Sequence, residues 1–512
     1  TLISKVFGLV REQIIAAAFG VGPVVTAYAY AYVIPGFLLI LLGGINGPFH
    51  SALVSVLSKR DKAESGPLVE TVTTLVSAVL LGMTLILMIF APVLIDLLAP
   101  GLDSAVRAIA VQQLQIMAPL ALLAGLIGIG FGALNAADQY WLPSISPLLS
   151  SLTVIIPLGL AIWHFGSQLN TPQYALIGSL LLAGGTTAGS ILQWLAQIIP
   201  QRQAGMGKLR LRFDWRLPGV NDVMRVMIPA TLSSGTLYIN VSIDLFFASF
   251  IPNAAAAMRY ANFIVLTPLG IISNMLLVPF MPVFSRLVDP QDWPELKTRI
   301  RQALLLTALT MLPLTAVFFS LSSPIVKVIY QRGAFNAQAA KDVIPVLIAY
   351  GLGMFFYLGR DVLVRVFYAL GDGEIPFRVS VLNIFLNILF DFLLYKPFST
   401  SGIIFSTISV NTISMTIFLI ILHRRLHGFP LAEWGLAIAK LVGIAAIAGG
   451  GSWLFSQQWE RWVGTDQLGL ELLQIVLGMV ITFGLFGGLA SQLNLPEVQI
   501  LGDRLLKKFK KS

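Results

Sequence analysis

Long apolar runs, separated by short stretches rich in Gly, Pro or charged residues, occupy almost the whole chain. Most runs reach or exceed the ~20 residues that a helix needs to cross a bilayer, and the longest ones indicate tilted or bent helices. The pattern predicts an all-α polytopic membrane protein of about fourteen transmembrane helices. The predicted spans are residues 2–20, 26–57, 67–99, 105–136, 143–165, 173–199, 219–251, 255–286, 299–322, 339–370, 376–396, 401–424, 433–456 and 467–492.

Lys and Arg are concentrated in the loops after spans two, six, eight and twelve and in the C-terminal tail. Cytoplasmic loops of membrane proteins collect these residues, so both termini are predicted to be cytoplasmic, in a bacterial inner (plasma) membrane. The strongest clusters are Lys59 and Arg60, then Lys208, Arg210, Arg212 and Arg216, then Arg424 and Arg425, and Lys507, Lys508, Lys510 and Lys511.

Composition supports a membrane protein and narrows its function. Of the 512 residues 56% are hydrophobic and 11% charged, with a mean hydropathy of +0.84, whereas soluble domains contain about 25% charged residues. The net charge of +9 comes from the loops, so we expect contacts with membrane lipids and no nucleic-acid partner. Without cysteine there is no disulfide, thiolate metal site or Cys nucleophile. No P-loop, H-E-x-x-H or G-x-S-x-G motif occurs, which favours a transporter over an enzyme.

Thr1 opens almost directly into an apolar run, and we expect a short native segment before it.

The chain repeats itself when it is shifted by 231 or 232 positions. The segment Ala17-Ala18-Phe19 then meets Ala248-Ser249-Phe250, Pro48-Phe49 meets Pro279-Phe280, and Pro92 with Gly101 meets Pro324 with Gly333. Each half has six spans, so the repeat is parallel, and in such transporters the substrate site lies between the halves. The predicted domains are an N-lobe at residues 1–200, a basic linker at 201–218, a C-lobe at 219–425, and two further spans with the tail at 426–512.

Span one contains Lys5, Arg11 and Glu12 within an otherwise apolar segment. A charge inside a membrane span costs roughly 2.5 to 3.5 kcal/mol on insertion scales, so these side chains favour a polar cavity. The alternative is that Lys5 and Arg11 extend to the membrane interface. Span two is predicted to bend at its Gly and Pro residues, either to line that cavity or only to improve packing. In the second half, Arg259 and Asn262 open span eight.

Oxygen-bearing side chains in spans seven, eleven and twelve predict a cation site. Asp244 lies in span seven, and Asn387 and Asp391 are four residues apart on one face of span eleven. Thr407 adds a hydroxyl from span twelve. Carboxylate, amide and hydroxyl oxygens suit a hard cation such as Na⁺. The alternative is that Asp391 is solvated near a helix end and that Asp244 pairs with an arginine.

A charge cluster closes span ten, where Arg360, Asp361 and Arg365 have helical spacing and Asp372 begins a turn. Anchoring of the helix end and ordering of the loop are the preferred interpretation over substrate contact.

Three motifs resemble the MurJ (MviN) lipid II flippase family of the multidrug/oligosaccharidyl-lipid/polysaccharide exporter superfamily. They are SKVFGLVREQIIAAAFGVG at the start, D-x-x-x-A-S-F at residues 244–250 and RVFYALGDGEIP at residues 365–376. The resemblance implies a flippase that moves an undecaprenyl-pyrophosphate-linked peptidoglycan precursor to the outer leaflet by alternating access. Two six-helix lobes would surround a cationic cavity, and the last two helices would bind the lipid tail. Partners among cell-wall synthesis proteins, a role in cell shape and a monomeric state are further expectations.

The resemblance also assigns residues. Arginines bind the pyrophosphate in the family, for which guanidinium groups are suited because they stay charged and bind phosphate bidentately. Arg11 and Glu12 match the family's pair in span one, and Lys5 stands where many members have Arg. We expect Lys5, Arg11, Glu12, Arg259 and Asn262 to bind the substrate. The family's sodium site falls on Asp244, Asn387, Asp391, Thr407 and the carbonyl of Ile403, with Na⁺ as the bound coupling ion and no other cofactor.

The chain departs from the family in its cavity charges. Thr26 and Phe263 stand where members have Asp and Arg, and no Lys or Arg occurs from Phe19 to Ser58. Arg259, one helical turn before Phe263, is the predicted replacement. The alternatives are a flippase for another undecaprenyl-linked glycan and a cation-coupled multidrug exporter on the same fold. A non-transporting scaffold that recruits cell-wall enzymes is a third.

Overall fold

The computed structural model describes residues 2–44, 47–464, 467–493 and 495–499. Within this part the chain is α-helical apart from turns and three short 3₁₀ helices, as the apolar runs predict. The first half contains α1 Leu2–Phe19, α2 Pro23–Ala31, α3 Val33–Gly43, α4 Pro48–Leu57, α5 Lys62–Ile89, α6 Ala91–Leu98, α7 Ser104–Met117, α8 Leu120–Ala136, α9 Trp141–Ile145, α10 Pro147–Phe165 and α11 Ala175–Gln203.

The remaining helices are on average longer. They are α12 Val220–Ala248, α13 Ala254–Arg286, α14 Trp293–Tyr330, α15 Ala337–Ala369, α16 Glu374–Arg425, α17 Leu431–Trp462 and α18 Leu468–Ser491. α16 has 52 residues and is interrupted at Ser399, whose φ of 53° and ψ of −139° are not helical. This break lies between predicted spans eleven and twelve.

Eleven helical segments of the described chain are long and apolar enough to cross a membrane. α16 is one of them and is long enough to cross twice. α1 falls outside this set because its 18 residues include three charged ones, and within the described part of α12 the segment Tyr238–Ala248 is a shorter apolar helix. The fold class is therefore confirmed, and the number of helices agrees with the prediction of about fourteen spans.

Span two is broken into α2, α3 and α4, as its Gly and Pro residues predict. α2 passes into α3 at Tyr32, and α3 ends at Gly44, whose backbone is extended. Pro35 lies near the start of α3, and Pro48 is the first residue of α4, a position where the missing N–H of proline costs no helical hydrogen bond. Asn46 lies outside the described residues.

The chain forms two compact units. The first comprises Thr1–Ala256 with Arg332–Asn336, and the second comprises Ala257–Gln331 with Ala337–Ser512. In the first unit, α8 packs against α3, α4, α5 and α11, and α1 packs against α10. Val220, Val223 and Met227 of α12 are buried in the same apolar cluster as side chains of α4 and α5. α12 therefore packs within the first unit, although the repeat aligns it with α1. The lobe boundary at residues 201–218 stays a prediction.

In the second unit, α14 is the central helix and packs against α15, α17 and α18. Small polar side chains connect these helices. The Ser320 and Ser452 hydroxyls are 3.2 Å apart, the Ser452 hydroxyl donates to the Gly478 carbonyl at 3.1 Å, and Gln474 donates to the Ser456 hydroxyl at 2.8 Å. Close packing and interhelical hydrogen bonds hold helices together in lipid, where no hydrophobic driving force acts between them.

Candidate functional site

Arg11 and Glu12 form an ion pair on α1. The guanidinium Nη2 of Arg11 donates to Oε1 of Glu12 at 3.1 Å. The Glu12 side chain is 3% exposed, whereas that of Arg11 is 30% exposed. Ion pairing offsets part of the cost of burying the carboxylate. Lys5, two turns earlier, is exposed.

Arg11 keeps donors for a further ligand. A guanidinium has five N–H donors, and Glu12 is the ion-pair partner of Arg11 within the described chain. Its Nε is buried and has no hydrogen-bond partner there. A phosphate oxygen could satisfy these donors, because guanidinium and phosphate match in geometry and charge. The site can therefore bind an anion without breaking the pair.

Arg259 and Asn262 lie near the start of α13, in the second unit. They are three residues apart, so they share one face of the helix, and both are half-buried. The same turn is anchored by Tyr260, which is fully buried and whose ring centroid lies 4.9 Å from that of Tyr330. The Tyr330 hydroxyl also donates to the Tyr260 carbonyl at 3.2 Å. Arg259 thus extends from a well-packed helix start, and its joint action with Arg11 stays a proposal.

The predicted cation site is partly assembled within α16. Nδ2 of Asn387 donates to Oδ2 of Asp391 at 3.0 Å, and the Thr407 hydroxyl donates to the Ile403 carbonyl at 3.2 Å. The Ser406 hydroxyl, at 3.4 Å, donates to the Asn387 carbonyl and so connects the two halves of the helix. Asp391 is 0% exposed and Asn387 1%. The alternative of a solvated Asp391 is therefore wrong.

The candidate ligand atoms of this site are all oxygens, and the ion they would bind stays a prediction. Every candidate ligand atom is oxygen, and the described residues contain no group of three or more His, Cys, Asp or Glu side chains that could bind a metal ion. Carboxylate, amide, hydroxyl and carbonyl oxygens are the ligands that hard cations prefer. Asp244 lies on α12 in the first unit, and its membership of the site stays a prediction.

The charge cluster after span ten anchors α16. Oδ1 of Asp372 accepts the backbone N–H groups of Glu374 and Ile375, both at 3.1 Å, and Oδ2 accepts from Arg425 at 2.6 Å. Burial raises the pKa of Asp372, but these hydrogen bonds and the Arg425 charge outweigh it and lower the pKa below its ordinary value. Asp372 therefore caps the first turn of α16 and binds its last residue, which supports the anchoring interpretation for this residue.

Two polar contacts were not predicted from the sequence. Nε2 of His50 on α4 and Nδ2 of Asn135 on α8 are 2.6 Å apart. Arg301 of α14 forms ion pairs with Glu497 at 2.9 Å and Glu433 at 3.5 Å. The partners in each case are far apart in sequence, so no spacing pattern could reveal them.

Thr26 takes part in the local packing of α2. Thr26 is buried, and its hydroxyl donates to the Val21 carbonyl at 3.2 Å at the start of α2. Its place in the chain is therefore structural, and it offers no charge to a cavity.

The long apolar helices and the paired charges on α1 define a polytopic membrane transporter. Two solved structures share its fold. A lipid II flippase MurJ in an inward closed conformation superposes with a TM-score of 0.75 at 22% identity, over 96% of this chain and 98% of that one. An inward-facing multidrug resistance MATE family transporter of the MOP superfamily superposes with a TM-score of 0.63 at 16% identity, over 83% of this chain and 94% of that one.

Sequence comparison identifies the family. The lipid II flippase MurJ family matches residues 15–472, and the chain belongs to it. A protein of Synechocystis sp. named probable lipid II flippase MurJ is 69% identical over 511 residues, which cover 100% of this chain and 96% of that protein. The resemblance in the three motifs is thereby confirmed along the chain.

Proposed function

We infer that this protein is a lipid II flippase and not an enzyme. Membership of the MurJ family over residues 15–472 carries the conclusion. The Arg11–Glu12 pair on α1, with a buried carboxylate and a partly exposed guanidinium, supports it, because charges within an otherwise apolar membrane helix mark a functional site. The protein is a multi-pass protein of the inner membrane.

We propose that Lys5, Arg11, Arg259 and Asn262 bind the diphosphate of the cargo. Arg11 would supply the guanidinium donors that Glu12 leaves unused, and Arg259 would replace the arginine that the family has at Phe263. Glu12 would hold Arg11 in position and compensate its charge when no cargo is bound. The cargo would pass from the inner to the outer leaflet by alternating access between two orientations, in a peptidoglycan pathway that supports cell shape. Cell-wall synthesis proteins are proposed partners, and we expect a monomer.

The test is depletion of the protein in its own cells, followed by complementation. Wild type should prevent accumulation of lipid II in the inner leaflet, and Arg11→Ala should lose at least about tenfold in flipping rate, equivalent to 1.4 kcal/mol. Arg378→Ala is the matched control, since Arg378 is exposed and pairs with Glu374 one turn away. Absence of lipid II accumulation on depletion would instead point to another lipid-linked glycan.

We propose that Asp244, Asn387, Asp391, Thr407 and the Ile403 carbonyl bind Na⁺. A cation that binds one orientation more tightly would shift the equilibrium toward it. The burial of Asp391 and its hydrogen bond from Asn387 support this role.

We also propose cytoplasmic termini. The distribution of Lys and Arg supports this orientation, and a single cysteine in place of exposed Lys208 tests it, because the natural chain contains none. Lys208→Cys should react with an impermeant thiol reagent only after permeabilisation, whereas Thr171→Cys should react in intact spheroplasts. The opposite pattern would reverse the orientation.

A further inference from the structure

Two loops dock against helix ends at positions that the internal repeat relates. The loop at residues 99–103 joins α6 to α7 and contacts the end of α12. The loop at residues 331–336 joins α14 to α15 and contacts the end of α1. Each loop belongs to one half of the repeat, and it docks on the first helix of the other half.

At the end of α1, the contact is a backbone hydrogen bond. The Ala334 N–H donates to the Ala17 carbonyl at 2.8 Å, and Ala17 lies within the last turn of α1, where carbonyls lack helical partners. Gly333 has a φ of 57°, and a Cβ there would lie 2.4 Å from the Ala17 oxygen. Phe335 is 1% exposed. We call the Gly333–Ala334 contact with Ala17 the α1 latch.

At the end of α12, the hydrogen-bond acceptor for the loop is the Ser249 side chain, whereas at the end of α1 it is the Ala17 backbone carbonyl. The Gly101 N–H donates to the Ser249 hydroxyl at 3.0 Å, and this hydroxyl donates to the Phe246 carbonyl at 2.7 Å. Ser249 therefore uses its donor within α12 and its acceptor for the loop. A Cβ at Gly101 would lie 2.7 Å from the Ser249 carbonyl carbon and oxygen. We call the Gly101–Ser249 contact the α12 latch.

The repeat makes these contacts counterparts. Gly101 aligns with Gly333 in the sequence, and the segment at 17–19 aligns with the segment at 248–250. Arg332–Asn336 belongs to the first compact unit, although α14 and α15, which flank it in the chain, belong to the second. Under the proposed topology both latches lie on the extracytoplasmic side.

We propose that the α1 and α12 latches hold the protein in the conformation described here and that both open when the cargo site turns outward. Each latch consists of one hydrogen bond and one close backbone contact at a glycine. A methyl group on that glycine would collide with the helix end, so the loop can dock only in close contact or not at all. Such a contact biases an equilibrium between two orientations without fixing it. The inference rests on the proposed function, because it assumes that the transporter alternates.

The first experiment measures latch opening without cargo. Ala17→Cys is introduced alone and with Gly333→Ala, and labelling by a polar thiol reagent is followed on the purified proteins in detergent. The clash with the Ala17 oxygen should increase the labelling rate about tenfold. Gly371→Ala is the matched control, because Gly371 also has a positive φ, 73°, but a Cβ there meets nothing within 4 Å. Equal labelling of the Gly333→Ala and Gly371→Ala proteins would overturn the proposal.

A second variant distinguishes opening of the latches from misfolding of the Gly333→Ala protein. Ser249→Ala removes the acceptor of the α12 latch without adding an atom, so the protein should fold normally and still label faster than wild type at Ala17→Cys. An unchanged rate would show that the two latches are not coupled, and the proposal of a paired device would fail.

The third experiment closes the α1 latch permanently. Ala17→Cys combined with Ala334→Cys should form a crosslink under oxidation, stop lipid II flipping, and regain flipping after reduction. Failure to crosslink, or wild-type flipping by the crosslinked protein, would contradict the latch. The labelling experiment uses no lipid II, so an incorrect cargo assignment would leave its result unchanged and the two failures remain distinguishable.

Discussion

Arg11 and Glu12 place one partly exposed and one buried charged side chain next to each other on α1. Glu12 is almost wholly buried and depends on Arg11 for compensation, whereas Arg11 is partly exposed and has donors that Glu12 does not use. The pair therefore holds a partly exposed guanidinium in a fixed position on α1. The sequence predicted both residues, because charges in an apolar helix are conspicuous. Their contact was harder to predict, since neighbours in sequence do not usually face each other on a helix.

A double-mutant cycle tests this pairing. Arg11→Ala should lower the free energy of unfolding by about 1 to 3 kcal/mol, because it removes a positive charge that lies against the buried Glu12 carboxylate. Adding Glu12→Gln should recover part of that loss, since an amide carries no charge into the interior. Thermal unfolding of the purified proteins in detergent measures both effects. Strictly additive effects of the two substitutions would show that the pair contributes nothing to stability.

At the scale of helices, a break inside α16 separates the two segments that the sequence predicted as spans eleven and twelve. Pro397 lies inside the helix, and Ser399 adopts a left-handed φ of 53°. The break was expected from the interrupted apolar pattern. The hydrogen bond from Ser406 to the Asn387 carbonyl was not, because it depends on how the two halves fold over the break.

Sodium should stabilise α16 if the proposed site binds it. At a sodium concentration ten times the Kd, stabilisation should be about 1.4 kcal/mol, seen as a higher Tm in NaCl than in KCl of equal ionic strength. Asp391→Asn should abolish the difference, whereas Asp361→Asn, which changes an exposed carboxylate on α15, should keep it. If the wild type has the same Tm in both salts, the proposed sodium site is wrong.

The Asp372 cap of α16 predicts a dependence on pH. Because the folded-state pKa of Asp372 is lowered, its contribution is fully present above the ordinary Asp pKa of about 3.9 and is lost as the pH falls through the lowered value. Asp372→Asn should therefore cost up to about 1 kcal/mol at neutral pH, a modest figure because the Arg425 side chain is 36% exposed. Unfolding measured from pH 7 down to pH 3 should show the two proteins converging. A constant difference across this range would assign the effect to something other than the charge.

At the scale of the whole molecule, the sequence predicted the helical membrane fold, because hydropathy alone determines which segments can lie in lipid. The compact units required the structure. The repeat pairs α12 with α1, but Val220, Val223 and Met227 bury α12 against α4 and α5, and no periodicity states which apolar faces meet. The latches were beyond prediction for the same reason, although the repeat itself contained Gly101 and Gly333.

The candidate site was predicted residue by residue, from charge on α1 and oxygen donors on α16. The sequence also showed where the charges depart from the family pattern, but it could not show what surrounds those positions in the folded protein. The chain lacks basic residues from Phe19 to Ser58, and Thr26 is buried in a local hydrogen bond. Cargo binding should therefore depend on Arg11 more strongly here than in relatives with more cavity arginines.

The most direct test of the central claim is flipping of lipid II by the purified protein in phospholipid vesicles. Lipid II should become accessible at the opposite leaflet faster than in protein-free vesicles, and the Arg11→Ala protein should be at least about tenfold slower than wild type. The Arg378→Ala protein should match wild type. Wild-type vesicles that move lipid II no faster than protein-free vesicles would contradict the assignment of this protein as a lipid II flippase.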